Sequence, residues 1–545
     1  MLEIVALPSV AIATYINRFF TGKEPWQISA ITSISILTGY YVWNVLSQPD
    51  DLFEIAKKNF FQILRKIPFV SKKINEECQK VYELFEKEVK GRCEGLTYIT
   101  SLPIEPLNSD EIINLVKNHT LRGKYRWNEG FVSGTVYYYD PDLVNLTAEV
   151  YRLTLYSNPI HSDVFPGICK MEAEIIRIVA DLFHGSDDTC GSVTSGGTES
   201  ILMACKAYRD YGIHVRGIKN PEIVAPRTVH AAFDKASSYF GIRMKHVTVD
   251  DDSKCVNVKS MERAISKNTV MLVCSAPNFP YGTMDDIKQI AKLGLKYNIP
   301  VHVDCCLGSF ILAFMVQVGY EVEPFDFAVP GVTSISVDTH KYGFAPKGSS
   351  VILYSESKYR HHQYYASLSW PGGLYGSPSV SGSRSGGAIA TCWATLMYFG
   401  KNGYANVTRK ILEVCKHIEK ELRKINEIFI FGKPVSTVIA IGSKSFHIYR
   451  LAQALNKKSW NLNMLQFPFG IHICITQLHT LPGVADRFLN DVRIEIENIM
   501  QNPNENLEGQ VAMYGMSSTL PDRTLVGDFT KCYLDAHYYT PKGNI

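Results

Sequence analysis

The chain has 545 residues, of which 46% are hydrophobic and 20% charged, and its formal net charge is +3. This length allows a large core and more than one domain, and the composition is that of a globular protein. The small net charge favours neither nucleic acid nor a strongly acidic partner. The 13 cysteines show no paired or metal-binding spacing, so we expect reduced thiols and no metal site.

Near the N-terminus lies an uncharged stretch, QISAITSISILTGYYVWNVLS, at residues 27–47. As a helix it would span about 30 Å of hydrocarbon, and more Lys and Arg residues follow it than precede it. The pattern predicts one transmembrane helix, a lumenal N-terminus at residues 1–26 and a cytosolic remainder. Its Ser and Thr content leaves a buried helix open as the alternative. If the residues after the helix are cytosolic, the glycosylation sequons at Asn118, Asn145 and Asn406 would stay unmodified.

Residues 48–135 are predicted to be a juxtamembrane and N-terminal helical segment. Basic and apolar side chains alternate over residues 48–75, which is typical both of an amphipathic segment near anionic headgroups and of a linker helix. Residues 76–91 carry apolar side chains at helical spacing.

From about residue 160 to 355 helical patterns alternate with short apolar runs. We predict strands at EIVAP, TVMLVCSAP, IPVHVDCC, SISVD and GSSVILY. The alternation predicts an α/β fold with a mostly parallel, seven-stranded-type sheet, helices on both faces and a ligand site at the carboxyl ends of the strands. We assign residues 136–394 to this large domain and residues 395–545 to a small α+β domain.

One turn and one predicted strand end carry groups that suggest ligand chemistry. The turn SGGTES places Gly197 and Thr198 at the start of a helix, where backbone N–H groups favour an anion, although a plain N-capped turn fits as well. Asp304 ends the apolar strand IPVHVDCC, and a buried carboxylate there must be paired, capping or ligating.

A histidine and a His-Lys pair complete the set of candidates. His230 opens a helix after EIVAP, and His340 and Lys341 follow SISVD. Each alone is compatible with a structural or surface role. Together, an anion-binding turn, an aromatic ring, a strand-end carboxylate and a buried lysine are the parts that pyridoxal 5′-phosphate (PLP) needs.

The motifs SGGTES, HVDCCLG and DTHKYGFAPKG resemble those of fold-type I PLP enzymes of the group II decarboxylase kind. More closely, they are similar to the sphingosine-1-phosphate lyase family. NPIHSDVFPG, GSRSG, WNLNMLQFP and MYGM extend this resemblance from about residue 100 to 535. The resemblance implies cleavage of the C2–C3 bond of a phosphorylated sphingoid base, which gives a long-chain aldehyde and phosphoethanolamine.

The resemblance also implies a role for each matching residue. Lys341 would hold the cofactor as a Schiff base, Asp304 would pair with its ring nitrogen, and His230 would stack on the ring. The cofactor phosphate would be held by His340, Gly197, Thr198 and, from the second subunit of a homodimer, Ser383. The substrate site would comprise Tyr137, Asn158, His161, Lys347, Tyr375 and Arg384. The base at the C3 hydroxyl stays open among Lys347, Tyr375, His161 and the substrate phosphate.

The family resemblance further implies an endoplasmic reticulum membrane protein. Cys305 stands where the family is expected to have a small residue, and an extra thiol there could make the site sensitive to oxidation. Two alternatives remain at this stage: an amino-acid decarboxylase of the same fold, and an inactive membrane-anchored scaffold. The substrate's chain length is not defined by the sequence.

Overall fold

The computed structural model describes residues 10–46, 60–61, 63–507, 515, 520 and 522–541. The chain divides into two compact units, residues 1–91 with 520–545, and residues 92–519. The domain boundaries predicted from the sequence stay predictions, although helix Gly386–Leu422 runs across position 394.

The smaller unit is helical. It contains Val10–Phe20, Pro25–Leu46, nearly all of Pro68–Arg92, and Arg523–His537. Helices Pro68–Arg92 and Arg523–His537 pack together through Phe85 and Tyr533, whose ring centroids lie 4.9 Å apart. Arg65 adds ion pairs to Asp522 at 3.0 Å and Asp528 at 2.6 Å.

Helix Pro25–Leu46 occupies the stretch that was predicted to cross the membrane. Within the described part of the chain, no helix is both long enough and apolar enough to span a bilayer. The prediction of a transmembrane helix at 27–47 is therefore not supported, because polar side chains such as Ser29, Thr32 and Ser33 lower its hydropathy. Residue 47 of that stretch and residues 48–59 and 62 of the predicted juxtamembrane segment lie outside the described residues.

The larger unit is built on a seven-stranded sheet. Its strands are β1 (Cys190–Thr194), β2 (Glu222–Pro226), β3 (Arg243–Val247), β4 (Thr269–Ser275), β5 (Val301–Asp304), β6 (Val332–Val337) and β7 (Ser350–Tyr354). Their order is β1-β7-β6-β5-β4-β2-β3. Only β7 runs antiparallel to its neighbours, β1 and β6. The prediction of a mostly parallel sheet is confirmed.

Helices cover both faces of this sheet, as predicted. Successive side chains of a strand point to opposite faces, and Ile223 and Val224 of β2 accordingly belong to two different clusters of the core. One cluster includes residues of helices Gly197–His214 and Ala232–Phe240, and the other includes residues of Pro166–Leu182 and Ile287–Tyr297.

The described helices of the larger unit include Ser109–Thr120, Pro141–Thr154, Pro166–Leu182, Gly197–His214, Ala232–Phe240, Val258–Ala264, Ile287–Tyr297, Ser309–Met315, Ser357–Arg360, Gly386–Leu422, Tyr449–Lys457 and Val484–Gln501. Short 3-10 turns are formed by Trp127–Glu129, Val316–Val318 and Gln477–Thr480.

Two smaller sheets complete the larger unit. A hairpin is formed by β8 (Tyr365–Ser367) and β9 (Tyr375–Ser377). A four-stranded antiparallel sheet is formed by β10 (Phe429–Ile430), β11 (Val438–Gly442), β12 (Asn463–Leu465) and β13 (Gly470–Cys474), in the order β10-β11-β13-β12.

The strand directions gather the candidate residues at one edge of the large sheet. The carboxyl ends of β1, β2, β4, β5 and β6 share this edge, and β7 begins there because it runs the other way. The turn after β1, Asp304 at the end of β5 and the segment after β6 that carries Lys341 are therefore neighbours. This edge is the usual ligand site of parallel α/β sheets.

Candidate active site

The turn between β1 and helix Gly197–His214 forms one wall of the site. No side chain caps the N-terminus of this helix, so its first backbone N–H groups can bind an anion. A Cβ added to Gly197 would lie 2.7 Å from both carboxylate oxygens of Asp338 and 2.8 Å from the sulfur of Cys306. The close approach of these groups requires glycine at this position.

Glu199 holds this turn in place. One of its oxygens accepts hydrogen bonds from the backbone nitrogen and hydroxyl of Ser195, at 2.7 and 2.6 Å. The other oxygen accepts from the backbone nitrogen of Val380 at 3.1 Å. One carboxylate therefore joins the turn to the segment that continues to Ser383.

Lys341 lies beside a carboxylate that the sequence patterns did not single out. Asp338, at the end of β6, is 1% exposed, and its Oδ2 lies 2.9 Å from Nζ of Lys341 and 3.7 Å from Nε2 of His340. Burial is the largest single influence on the pKa of Lys341 and lowers it, but the Asp338 charge, Tyr137, Cys306 and the hydrogen bond to Asp338 together raise that pKa. Burial likewise opposes ionisation of Asp338, yet Lys341 and His340 lower its pKa. The pair is therefore ionised.

Lys347 shares this neighbourhood through Tyr137. Its ammonium lies over the Tyr137 ring, 5.0 Å from the centroid. The side chain reaches solvent, but partial desolvation of the ammonium and the nearby charge of Lys341 lower its pKa. Tyr137 is buried and packs edge-on against Tyr342, with centroids 4.8 Å apart.

A cavity of about 220 Å³ opens beside these groups. It is lined by residues 135–140 and 344–347 together with Leu143, Val144, Thr147 and His340. The lining combines aromatic and aliphatic side chains with two basic ones, His340 and Lys347, and one acidic one, Asp140, so it suits a ligand with an apolar part and groups of both charges.

Asp304 is 7% exposed at the end of β5. Its Oδ1 accepts hydrogen bonds from the backbone nitrogen of Cys306 at 3.1 Å and the hydroxyl of Ser336 at 3.4 Å. His230 follows the end of β2 by four residues. It is exposed, and its Nδ1 accepts a hydrogen bond from the backbone nitrogen of Ala232 at 3.1 Å.

A second cluster gathers other predicted site residues. The side-chain oxygen of Asn158 accepts from the backbone nitrogen of Arg384 at 3.2 Å, and the Arg384 guanidinium forms an ion pair with Glu172. A Cβ added to Gly382 would lie 2.6 Å from the hydroxyl of Tyr375. The backbone nitrogen of His161 donates to the carbonyl of Asn158 at 3.1 Å, and its side chain is exposed, as is that of Ser383.

Similarity to known proteins identifies the family. A profile described as "Pyridoxal-dependent decarboxylase conserved domain" matches residues 98–444. Sphingosine-1-phosphate lyase of Drosophila melanogaster is 53% identical over 526 residues, which cover 96% of each chain. Sphingosine-1-phosphate lyase 1 of Mus musculus is 47% identical over 541 residues, 99% of this chain and 94% of the mouse protein.

The chain belongs to the sphingosine-1-phosphate lyase family. The solved sphingosine-1-phosphate lyase of Burkholderia pseudomallei is 36% identical, with a TM-score of 0.73, over 75% of this chain and 95% of the bacterial one. A solved glutamate decarboxylase of Lactobacillus brevis, at 20% identity and a TM-score of 0.65, shares the fold.

The site of this lyase-family chain fits PLP. Within the described residues, Oδ1 of Asp338 and Nδ1 of His340 are buried without a hydrogen-bond partner, and both residues adjoin the uncapped turn. Both hydrogen bonds of Asp304 go to Oδ1, which leaves Oδ2 for a protonated ring nitrogen. A phosphate-binding turn, a lysine and an acceptor carboxylate are thus provided.

The structure brings the predicted residues together in two groups. The first contains Gly197, Thr198, His340, Lys341, Lys347, Tyr137 and Asp304, and the second contains Asn158, His161, Tyr375, Ser383 and Arg384. Among the described residues no hydrogen bond or ion pair joins the groups. The role of each residue stays a prediction, and the pairing of Arg384 with Glu172 offsets the positive charge expected there.

Two residues of the site were not identified from the sequence, and the structure changes the expectation for a third. Asp338 ends the predicted strand SISVD as Asp304 ends its own, so it carried the same strand-end signal but was not identified as a candidate. Glu172 carried no signal, because 212 residues separate it from Arg384. Cys305 is fully buried, and burial raises its pKa well above the usual value, which disfavours the oxidation suggested for this thiol.

Proposed function

We propose that this chain is a PLP-dependent aldehyde-lyase that cleaves the C2–C3 bond of sphingosine 1-phosphate and related phosphorylated sphingoid bases. The products are a long-chain aldehyde and phosphoethanolamine. The proposal rests above all on similarity to sphingosine-1-phosphate lyases over nearly the whole chain. Lys347, a basic residue that lines the small cavity, agrees with a phosphorylated amine as substrate.

Bound PLP supplies an electron-accepting ring that takes up the electron pair released when C2–C3 breaks. Asp304 holds a proton on the ring nitrogen, and His230 covers one face of the ring. Gly197, Thr198 and His340 hold the cofactor phosphate. Lys341 would hold the cofactor as a Schiff base and would return a proton to C2 of the substrate.

Lys347 is the group we propose as base at the C3 hydroxyl. Its lowered pKa increases the fraction of uncharged amine near neutral pH, and a catalytic base needs that form. Tyr137 limits the positions open to this ammonium. Tyr375 and His161 lie in the second cluster, where they would contact the substrate.

The test is a product assay on the full chain reconstituted with PLP and a phosphorylated sphingoid base. Both aldehyde and phosphoethanolamine are expected from the wild type, neither from Lys341→Ala, and both from the control Lys288→Ala. Lys288 is a suitable control because it forms only an exposed ion pair with Glu323. Carbon dioxide released from amino acids, with no cleavage of the sphingoid base, would favour an amino-acid decarboxylase. Absence of PLP binding would favour an inactive scaffold.

We also propose a homodimer with shared active sites. The second cluster is carried by exposed segments, and the hairpin β8–β9 presents apolar side chains, Leu368, Trp370 and Leu374, to solvent in the single chain. Ser383 of the partner subunit would complete the phosphate site. Sedimentation should give a dimer, and mixing inactive Lys341→Ala with inactive Tyr375→Phe chains should restore activity. A fully active monomer would contradict this.

A third proposal concerns location. The N-terminal segment attaches the protein to the endoplasmic reticulum membrane, with the catalytic part in the cytosol. In support, helix Pro25–Leu46 exposes Trp26, Leu37 and Tyr40, and the long hydrocarbon chain of the substrate partitions into bilayers. Cell fractionation should find the full chain with microsomes and a chain lacking residues 1–74 in the soluble fraction. Equal distribution of both would contradict attachment through this segment. The lumenal N-terminus stays a prediction.

A further inference from the structure

Buried polar side chains of β5 and β6 form a series of hydrogen bonds that ends at Asp304. His302 precedes it by two residues on β5 and is 0% exposed. Its Nδ1 lies 2.8 Å from the hydroxyl of Ser334, and its Nε2 lies 3.2 Å from the hydroxyl of Ser336. The Ser336 hydroxyl is in turn 3.4 Å from Oδ1 of Asp304.

The sheet register explains why these four side chains meet. In the parallel pair β5–β6, His302 is opposite Ser334, and Asp304 is opposite Ser336. Residues two apart on a strand face the same side, so both pairs lie on one face of the sheet. Each side chain is buried, and each therefore needs a hydrogen-bond partner.

The direction of each hydrogen bond follows from the chemistry of the groups. Burial lowers the pKa of His302 to about 4, so the ring is neutral near pH 7, with one donor and one acceptor nitrogen. An ionised Asp304 only accepts, so Ser336 must donate to it and accept from Nε2–H of His302. Nδ1 then accepts from Ser334. This assignment gives every group a matching partner.

We propose that His302 and Ser336 are positioning residues that engage Oδ1 of Asp304 and turn its Oδ2 toward the ring nitrogen of PLP. Ser336 donates to the carboxylate, and His302 supports it by donating to the Ser336 hydroxyl. Together they stabilise the ionised form of Asp304 and thereby keep the ring nitrogen protonated. This proposal rests on the role given to Asp304 in the proposed function. It extends that role to two residues that do not touch the cofactor.

The experiment measures the protonation of the ring nitrogen directly. Full-length apoenzyme is reconstituted with nitrogen-15-labelled PLP, and the nitrogen chemical shift and the dissociation constant of PLP are recorded. The variants are Ser336→Ala, His302→Phe and Asp304→Asn. Ser192→Ala is the matched control, because Ser192 is a buried serine of the same sheet whose hydroxyl accepts a hydrogen bond from Gln363 at 3.0 Å.

The expected result is a shift of the nitrogen signal toward the unprotonated value in Asp304→Asn and, to a smaller extent, in Ser336→Ala. PLP binding should weaken roughly three- to ten-fold in Ser336→Ala, which is the effect expected for loss of one ordinary hydrogen bond, because the bond to Asp304 is long at 3.4 Å. His302→Phe should resemble Ser336→Ala, and if it fails to fold, Ser336→Ala alone decides. Ser192→Ala should change neither quantity.

Two results would overturn the inference and can be told apart. If Asp304→Asn moves the nitrogen signal but Ser336→Ala behaves like Ser192→Ala, the serine and histidine are merely structural. If Asp304→Asn leaves the signal unchanged, the assignment of Asp304 to the ring nitrogen fails, and the positioning role fails with it.

Discussion

Lys341 and Asp338 form an ion pair in surroundings where neither charge would be stable alone. Burial opposes both charges, and each side chain reverses that effect in the other. The same pairing keeps the lysine protonated before the cofactor arrives, whereas attack on the cofactor's aldehyde requires the uncharged amine. If PLP attaches to Lys341 as proposed, Asp338 therefore sets the pH at which this attachment begins.

Replacing Asp338 by Asn should make Lys341 easier to deprotonate. With the negative charge gone, burial dominates and the lysine pKa falls, so the pH midpoint for attachment of PLP to the apoenzyme should move down by at least about one unit. Visible absorbance over a pH series measures this midpoint. Asp326→Asn is the control, because Asp326 is also buried but pairs with His184 at 2.7 Å. An unchanged midpoint in Asp338→Asn would contradict the argument.

Gly197 offers a second test at the residue scale. In Gly197→Ala the new methyl group would meet Asp338 and Cys306, so we expect a loss of about 1–3 kcal/mol in stability together with weaker PLP binding. Gly167 also lies in the first turn of a helix, but a Cβ there meets nothing within 4 Å. Gly167→Ala should therefore be neutral or slightly stabilising. Thermal unfolding and PLP titration of both variants decide the matter, and equal behaviour would contradict it.

At the scale of whole elements, the carboxylate of Glu199 joins the turn after β1 to the segment after β9. It accepts hydrogen bonds from Ser195 in the turn and from the backbone nitrogen of Val380 in the segment. Glu199→Gln keeps the shape but exchanges an acceptor oxygen for a donor NH₂, so one backbone N–H of Ser195 or Val380 loses its partner. We expect a loss of about 1–3 kcal/mol and faster dissociation of PLP, measured by dialysis and absorbance.

Glu419→Gln provides the control for this coupling. Glu419 is as buried as Glu199, at 9% exposure, but it pairs with Lys416 and Arg423 on helix Gly386–Leu422. This variant should lose some stability without changing PLP dissociation. If both variants release PLP at the wild-type rate, Glu199 is not part of the cofactor support.

The sequence predicted the interior of the sheet better than its margins. β2, β4, β5, β6 and β7 correspond to predicted strands because a strand buried on both faces is a continuous apolar run. β1 has the sequence CGSVT, and its small and polar residues resemble those of the turn SGGTES that follows it. β3 is an edge strand with partly exposed, basic side chains, and β8 and β9 have only three residues each. Short or exposed strands lack the apolar run that makes the others visible.

The candidate site shows the same division between local and distant signals. Residues within the motifs, such as Gly197 and Lys341, were found because local sequence carries their chemistry. Asp338 carried the strand-end signal but stood beside the more conspicuous His340 and Lys341. The partnership of Arg384 with Glu172, and of Ser336 with His302, arises only when separate elements pack together, and no local pattern indicates it.

For the molecule as a whole, buried neutral histidines make stability depend on pH. Burial lowers the pKa values of His302, His472 and His479 to about 4 each. Above pH 6.5 neither the folded nor the unfolded state protonates these rings. Between pH 6.5 and 4 only the unfolded state takes up the proton, so stability falls as the pH falls through this window. Asp285 acts in the opposite direction, because burial raises its pKa to about 6.

His479 isolates one such contribution. Its Nδ1 accepts from the backbone nitrogen of Thr476 at 2.9 Å, and the amide oxygen of Gln can do the same without titrating. The wild type should therefore lose about 2 kcal/mol more stability than His479→Gln between pH 7 and 5. Thermal midpoints at the two pH values measure this difference. His417→Gln is the control, because His417 is exposed and pairs with Asp486 at 3.1 Å. This variant should lose as much stability between pH 7 and 5 as the wild type does. An equal fall in His479→Gln would mean that this histidine is not held neutral in the folded protein.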